Sequence, residues 1–150
     1  MRIVVQRVSD ASVSIEGEVK SSIGQGVLVL LGIETEDTIE DVDWLCGKIA
    51  RMRIFNDAEG KMNLSLTDVG GKALVISQFT LHASTKKGNR PSYIRAARPA
   101  QAIPLYETFL TRLSQTIQQE VGAGEFGANM QVALTNDGPV TITIDSRNRE

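Results

Sequence analysis

The run Gly26-Val27-Leu28-Val29-Leu30-Leu31-Gly32-Ile33 is continuously apolar and bounded by glycines. A strand with no polar face must be covered on both sides, so this segment predicts a central strand in a layered sheet. A second buried strand is predicted over residues 72–80, carrying Ala73-Leu74-Val75-Ile76 into Ser77-Gln78-Phe79-Thr80. Upstream, residues 2–8, 11–15 and 18–22 favour extended structure, with Val13 and Ile15 alternating against Ser12 and Ser14. Gly17 marks a tight connection, and the three segments predict a meander.

Two helices complete an α/β pattern. Asp37 or Thr38 can cap the first, whose apolar residues Ile39, Val42, Leu45, Cys46, Ile49 and Met52 recur at helical spacing, with acids early and Lys48 and Arg51 late. The second is predicted from about Pro99 or Pro104 to Val121, with Leu105, Phe109, Leu113, Ile117 and Val121 on one stripe and Pro104 suited to a first turn. Between the helices, Asn56-Asp57-Ala58-Glu59-Gly60 predicts a turn joining short strands at 52–55 and 61–64. Beyond them, Gly122, Gly124 and Gly127 stop the second helix. Strands at 128–135 and 139–145 follow, joined through an Asn136-Asp137-Gly138-Pro139 turn.

A chain of 150 residues with 41% hydrophobic and 23% charged residues suits a single compact domain, residues 1–150. The N-terminal segment has one short apolar triplet and reads as a strand, not a signal peptide. No stretch approaches the ~18 apolar residues of a membrane span. One cysteine, Cys46, cannot form an internal disulfide, so the expected compartment is the cytoplasm. The net charge of −2 argues against a nonspecific nucleic-acid coat, and no DNA or membrane partner is expected. The charge is uneven, however. Lys86, Lys87, Arg90, Arg95 and Arg98 make the window from His82 to Tyr106 +5 on a remainder of −7. Such a strip is either a phosphate grip or a solvated loop.

The usual catalytic side chains are scarce, with one histidine and one cysteine in the chain. Cys46 shares the apolar face of the first helix and reads as core. His82 follows Thr80, but no local carboxylate supplies a triad and no Gly-x-Ser-x-Gly elbow exists, so it reads as a surface or capping residue. No ligand spacing suggests a metal, no glycine loop suggests nucleotide hydrolysis, and no cofactor is expected. What remains is the strand end Ser77-Gln78-Phe79-Thr80 and the Gly138-Pro139 turn.

The chain as a whole resembles the D-aminoacyl-tRNA deacylase family, of the D-tyrosyl-tRNA deacylase type. The resemblance is carried by Gln6-Arg7-Val8, Ala11-Ser12-Val13, Ile23-Gly24-Gln25-Gly26, Ser77-Gln78-Phe79-Thr80-Leu81, Gly88-Asn89-Arg90-Pro91-Ser92 and Asn136-Asp137-Gly138-Pro139-Val140-Thr141. Tyr93 stands where phenylalanine is frequent in the family. The resemblance implies a compact fold of packed mixed sheets with two main helices, working as a homodimer on the acceptor end of D-aminoacyl-tRNA. It further implies a cis Gly138-Pro139 bond that enters the partner subunit's pocket as a chirality filter, with Arg7 holding its carbonyls and Val140 and Thr141 completing the segment. Glycine lets bare backbone approach the substrate's α-carbon, where an L side chain would collide and a D side chain would point away.

On this reading Ser77, Gln78, Phe79 and Thr80 form the catalytic strand end. The Phe79 and Thr80 N–H groups would stabilise an oxyanion, and Ser77 and Gln78 would orient the ligand. Either Thr80 or a ribose hydroxyl of the tRNA would attack the ester. Lys86, Lys87 and Arg90 would contact acceptor-stem phosphates, and mischarged glycyl-tRNA would be a second substrate. Two rivals remain open from the residues alone: a noncatalytic RNA-binding module and a general small-ester hydrolase using Thr80.

Overall fold

A computed structural model describes residues 1–150. In chain order the elements are β1 (Arg2–Ile15), β2 (Glu18–Ile23), β3 (Gly26–Gly32), α1 (Ile39–Arg51), β4 (Phe55–Asn56), β5 (Met62–Leu64) and β6 (Lys72–Ser77). A 3-10 turn (Phe79–His82), α2 (Pro99–Ile117), β7 (Gly122–Ala123) and β8 (Met130–Asp145) follow. One mixed sheet runs β2-β1-β3-β6-β7, with β8 paired to β1. β1 is antiparallel to β2, β3 and β8, while β3, β6 and β7 are parallel. β4 and β5 form a separate ribbon.

The apolar run of β3 is explained by two cores. Val27, Val29 and Leu31 join Ile3, Val5, Ala73 and Val75 beneath α1 and α2. Leu28 alternates to the opposite face and joins Val8, Val13, Leu74 and Ile76. Period-two alternation thus delivers apolar side chains to both layers. No helix is long and apolar enough to cross a membrane.

Local chemistry sets α1 as expected. Thr38 is the N-cap, and Asp41 Oδ2 accepts the Thr38 N–H at 2.8 Å in a capping box. In front of α1, the Met1 ammonium donates to Asp37 Oδ1 at 2.5 Å and to Ser146 Oγ at 3.0 Å, with both partners of the ion pair fully buried.

Five expectations change. The first three strands are not a meander, because β1 is continuous from 2 to 15 and pairs with β3 through residues 2–8 and with β2 through residues 11–15. The short strands expected at 52–55 and 61–64 shrink to 55–56 and 62–64. β6 ends at Ser77, not 80: its partner β3 runs out at Gly32, and the chain winds into the 3-10 turn. Gly32 leaves room for that turn, since a Cβ there would lie 2.9 Å from both the Gln78 carbonyl oxygen and Leu81 Cβ. α2 begins with Pro99 at its first turn, holds Pro104 inside, and stops at Ile117, short of Val121. Gln118 ends it in the left-handed region (φ 55°), where its N–H bonds the Ser114 carbonyl.

The fifth change concerns β8. Residues 136–139 do not turn one strand back on another, because both flanks pair with β1 in a single strand. Asn136 opposes Val8 and Thr141 opposes Gln6, so β8 carries three more residues than β1 across that interval. The Gly138-Pro139 segment is therefore an enlarged bulge that projects from the strand.

Candidate active site

The end of β6 opens into a cavity of about 310 Å³. Ser77, Gln78 and Phe79 form one wall, and Leu31, Ala102 and Met130 contribute to the others. Gln78 N–H still reaches the Leu31 carbonyl at 2.7 Å, so the last ladder bond fixes where the turn begins. The Phe79 and Thr80 N–H groups open the 3-10 turn and have no acceptor within it. Gln78 Nε2 donates to Thr80 Oγ1 at 2.5 Å, which holds the hydroxyl with a donor and not a base. The Phe79 ring, 53% exposed, packs edge-on against Tyr93 with centroids 5.1 Å apart. Residues 77–80 are thus held together at one rim, with Ser77, Gln78 and Phe79 lining the cavity and Thr80 attached to it through Gln78.

His82 does not lie at the surface. It closes the same turn from below, with its side chain fully buried and Nδ1 3.7 Å from Glu34 Oε2. Both ring nitrogens lack a hydrogen-bond partner. Burial pulls the imidazole below its ordinary range, against the opposing pull of the Gly32 backbone and Glu34. Cys46 is core as expected, and burial pushes its thiol up to about 12.

Arg7 is buried. Its Nε donates to the Asp137 carbonyl at 2.9 Å and Nη1 to the Ile54 carbonyl at 2.6 Å, with Asp137 Oδ2 3.5 Å from Nε. The expected contact to the carbonyls of Gly138 and Pro139 is replaced by one to the carbonyl just before them. Gly138 has φ 136° and its bond to Pro139 is cis. Val140 is half-buried and Thr141 exposed, with Gln6 Nε2 3.5 Å from Thr141 Oγ1.

The bulge and the cavity of one chain are not adjacent. Arg7 pairs with Val27 at one end of β3, while Ser77 pairs with Leu31 at the other. Four residue steps along β3 separate Val27 from Leu31, about 13 Å.

Lys86, Lys87 and Arg90 are exposed on a loop closed by reciprocal Ser84 and Ser92 backbone bonds of 2.8 and 2.9 Å. Arg95 is not part of that free charge, since its Nη2 pairs with buried Glu34 at 2.6 Å.

Sequence reasoning missed Ala97, Ala102, Phe126 and Met130, which reach the cavity from the segment before α2, from α2, from the approach to β8 and from the first residue of β8. The glycines between 122 and 127 had signalled only a helix end. A larger crevice, about 550 Å³, lies between α1 and β8. Its Trp44 already carries Arg149 at 4.3 Å and Lys48 at 5.3 Å, and its Arg2 is paired with Asp145. The smaller cavity is the chemical candidate because Ser77, Gln78 and Phe79 line it and the Phe79 and Thr80 N–H groups open the turn at its rim. No group of three or more His, Cys, Asp or Glu is placed to hold a metal.

A family model described as D-Tyr-tRNA(Tyr) deacylase matches residues 4–145. Proteins named D-aminoacyl-tRNA deacylase from Bacteroides thetaiotaomicron and Akkermansia muciniphila are each 63% identical over 150 residues, covering all of both chains. A solved structure of the c-Myc DNA Unwinding Element Binding Protein superposes with a TM-score of 0.92 at 44% identity, covering 97% of this chain and 98% of that one. A structure described as a probable eukaryotic D-amino acid tRNA deacylase shares the fold, with a TM-score of 0.84 at 16% identity, covering 95% and 97%.

Proposed function

This chain belongs to the D-Tyr-tRNA(Tyr) deacylase family, and on that premise we propose that it hydrolyses the ester joining a D-amino acid to the terminal adenosine of tRNA while sparing the L-ester. Glycyl-tRNA, which carries no side chain to reject, is cleaved as well. The supporting observation is chemical: the rim offers N–H donors and a hydroxyl, with Gln78 beside it and no titratable base in hydrogen-bond reach of Thr80. Such a site cannot attack an amide unaided, but an aminoacyl ester is already activated. The Phe79 and Thr80 N–H groups receive the developing oxyanion, an effect of roughly 10²–10³ per donor in other hydrolases. Ser77 and Gln78 orient the strand end and the substrate's amino group.

The attacking group is a ribose hydroxyl of the tRNA or a water that it positions. Gln78 occupies the Thr80 hydroxyl as a donor, and nothing nearby takes its proton. Thr80→Val is therefore expected to lower single-turnover deacylation by less than about tenfold. A loss beyond about a thousandfold, the scale of a removed nucleophile, would move the attack to Thr80 instead.

Chirality is judged by the Gly138-Pro139 bulge of a second copy. The ~13 Å along β3 between the strand positions of Arg7 and Ser77 supports a filter donated across a twofold interface. Arg7 fixes the bulge through Asp137, and Val140 and Thr141 return it to the strand. Bare backbone then faces the α-carbon, so the side chain is tested for hand and not identity.

Lys86, Lys87 and Arg90 bind acceptor-stem phosphates. Replacing all three by alanine is expected to weaken tRNA binding and to flatten the dependence of log K on log salt by about 2 to 3, with kcat little changed. A slope unchanged from the parent protein would remove the loop from the interface. The enzyme works in the cytoplasm, where its substrate is charged and Cys46 stays reduced.

Incubation with matched D- and L-aminoacyl-tRNA, glycyl-tRNA and a simple D-amino ester tests the whole reading. Release from D-aminoacyl- and glycyl-tRNA alone is expected. No release from any substrate would favour an RNA-binding module, and indiscriminate release a general esterase.

A further inference from the structure

His82 is the one buried polar side chain whose nitrogens make no hydrogen bond of normal geometry, although the Gly32 backbone and Glu34 both favour its charged form, and its place in the fold ties it to the catalytic turn. The turn spans only Phe79–His82, so the residue that anchors its inner end lies within three residues of both oxyanion donors. The turn has little freedom elsewhere, because the Leu81 N–H bonds the Gln78 carbonyl at 3.2 Å and the Ala83 N–H bonds the Thr80 carbonyl at 3.0 Å. Beneath it the imidazole lies over Gly32, where a Cβ would come within 3.1 Å of His82 Cδ2.

The charged groups around the ring come from three directions. Glu34, after β3, puts Oε2 3.7 Å from Nδ1. Arg95, before α2, holds that same oxygen at 2.6 Å. From the start of β1, Arg2 Nη1 donates to the Leu81 carbonyl at 3.2 Å, and the Met1 ammonium pairs with Asp37, whose Oδ2 accepts the Glu34 N–H at 2.7 Å. Glu34 Oε2 is therefore a single acceptor placed between two cations, one permanent and one conditional.

We infer that His82 is a positioning residue for the catalytic turn: neutral, it leaves Glu34 to Arg95 and keeps Phe79 and Thr80 at working geometry, whereas protonated, it takes Glu34 Oε2 and draws the turn inward. The proton comes from solvent and goes to Nδ1, which closes from 3.7 Å to hydrogen-bond distance. A displacement approaching 1 Å at an oxyanion site costs up to about a hundredfold in rate. The unfavourable burial of an imidazolium places this event below the ordinary histidine range. The inference rests on the proposed site, and its consequence is an acid limb in the rate that belongs to the enzyme and not the substrate.

The test compares single-turnover deacylation of one D-aminoacyl-tRNA by the parent protein and His82→Gln from pH 5 to 8, each normalised to its own rate at neutral pH. Because both act on the same substrate, its own titration cancels. The parent is expected to fall about tenfold further than the variant at the acid end. Equal acid limbs would overturn the inference. Glu34→Gln, which keeps the histidine and removes the negative charge that an imidazolium would pair with, is expected to behave as His82→Gln does and serves if that variant fails to fold.

A second readout needs no activity. The chain has one histidine, so its imidazole resonances are assignable at once, and the Phe79 and Thr80 amide shifts are expected to titrate with the same midpoint. Amides that stay fixed while the imidazole titrates would also overturn the inference. If the parent fails to cleave D-aminoacyl-tRNA at neutral pH yet the amides follow the imidazole, the proposed function falls and the coupling stands.

Discussion

Gly138→Ala is expected to lower kcat/KM toward D-aminoacyl-tRNA by about a hundredfold or more, the scale of an ångström-size displacement at a reacting centre. Gly138 has φ 136°, a region that L side chains rarely adopt. A Cβ there would lie 2.9 Å from the Val140 nitrogen and Cγ2 and 3.1 Å from Arg7 Nη2. The nitrogen is main chain and cannot rotate away, while moving the guanidinium breaks its 2.9 Å bond to the Asp137 carbonyl. The bulge must shift as a body. Gly60→Ala separates this effect from simple backbone strain. Gly60 also has positive φ, at 78°, but a Cβ there would meet nothing within 4 Å, and it lies in the β4–β5 turn. It is expected to lose some stability and keep full activity. Unchanged chiral discrimination in Gly138→Ala would remove the bulge from the filter.

Asp37→Ala is expected to produce the largest stability loss, about 3–5 kcal/mol, because one partner of a buried ion pair is left uncompensated. For a chain of this size that is roughly a 10–15 °C fall in Tm. Asp37 Oδ1 takes the Met1 ammonium at 2.5 Å and Oδ2 the Glu34 N–H at 2.7 Å. Burial raises the Asp37 carboxyl while the ammonium and the Glu34 N–H lower it. The pair is therefore worth less than its Coulomb attraction, and most of the loss comes from stranding the ammonium with Ser146 Oγ alone. Asp37→Asn, which retains an acceptor, is expected to lose less. Thermal unfolding followed by far-UV circular dichroism separates the two variants. Equal, small shifts in both would mean that the ammonium finds water or another partner.

The parts of the fold visible in sequence were those set by local rules. The Thr38–Asp41 capping box and the spacing from Ile39 to Ile49 define α1 without reference to the rest of the chain. The run through β3 signals burial on both faces because its side chains alternate between two cores. The misread elements depend on distant partners. Asn136-Asp137-Gly138-Pro139 has the composition of a hairpin turn, and only the length of β1, which pairs with both flanks, makes it a bulge. β6 stops at Ser77 because β3 ends beside it, which no property of residues 72–80 reveals.

The same division holds at the site. Ser77 to Thr80 are contiguous and could be read together, whereas Ala102 and Met130 reach the cavity through tertiary packing. Only the family resemblance pointed to Arg7 as the support of the Gly138-Pro139 segment, and its bond to the Asp137 carbonyl in place of the following ones depends on the strand register. His82 was misjudged because an isolated histidine after a strand carries no sign of which way the turn rotates it.

Subunit complementation tests the central claim most directly. One protomer carries Gly138→Ala, with an intact cavity and a defective bulge. The other carries Ser77→Phe, with a filled cavity and an intact bulge. Each is first shown to be inactive alone, and the two are then mixed under conditions of subunit exchange. A filter donated across a twofold interface restores one working site per mixed dimer, about a quarter of the parental sites at random pairing, with L-aminoacyl-tRNA still spared. Verified mixed dimers that recover no D-specific deacylation, or a monomeric parent protein that still rejects the L-ester, would contradict it.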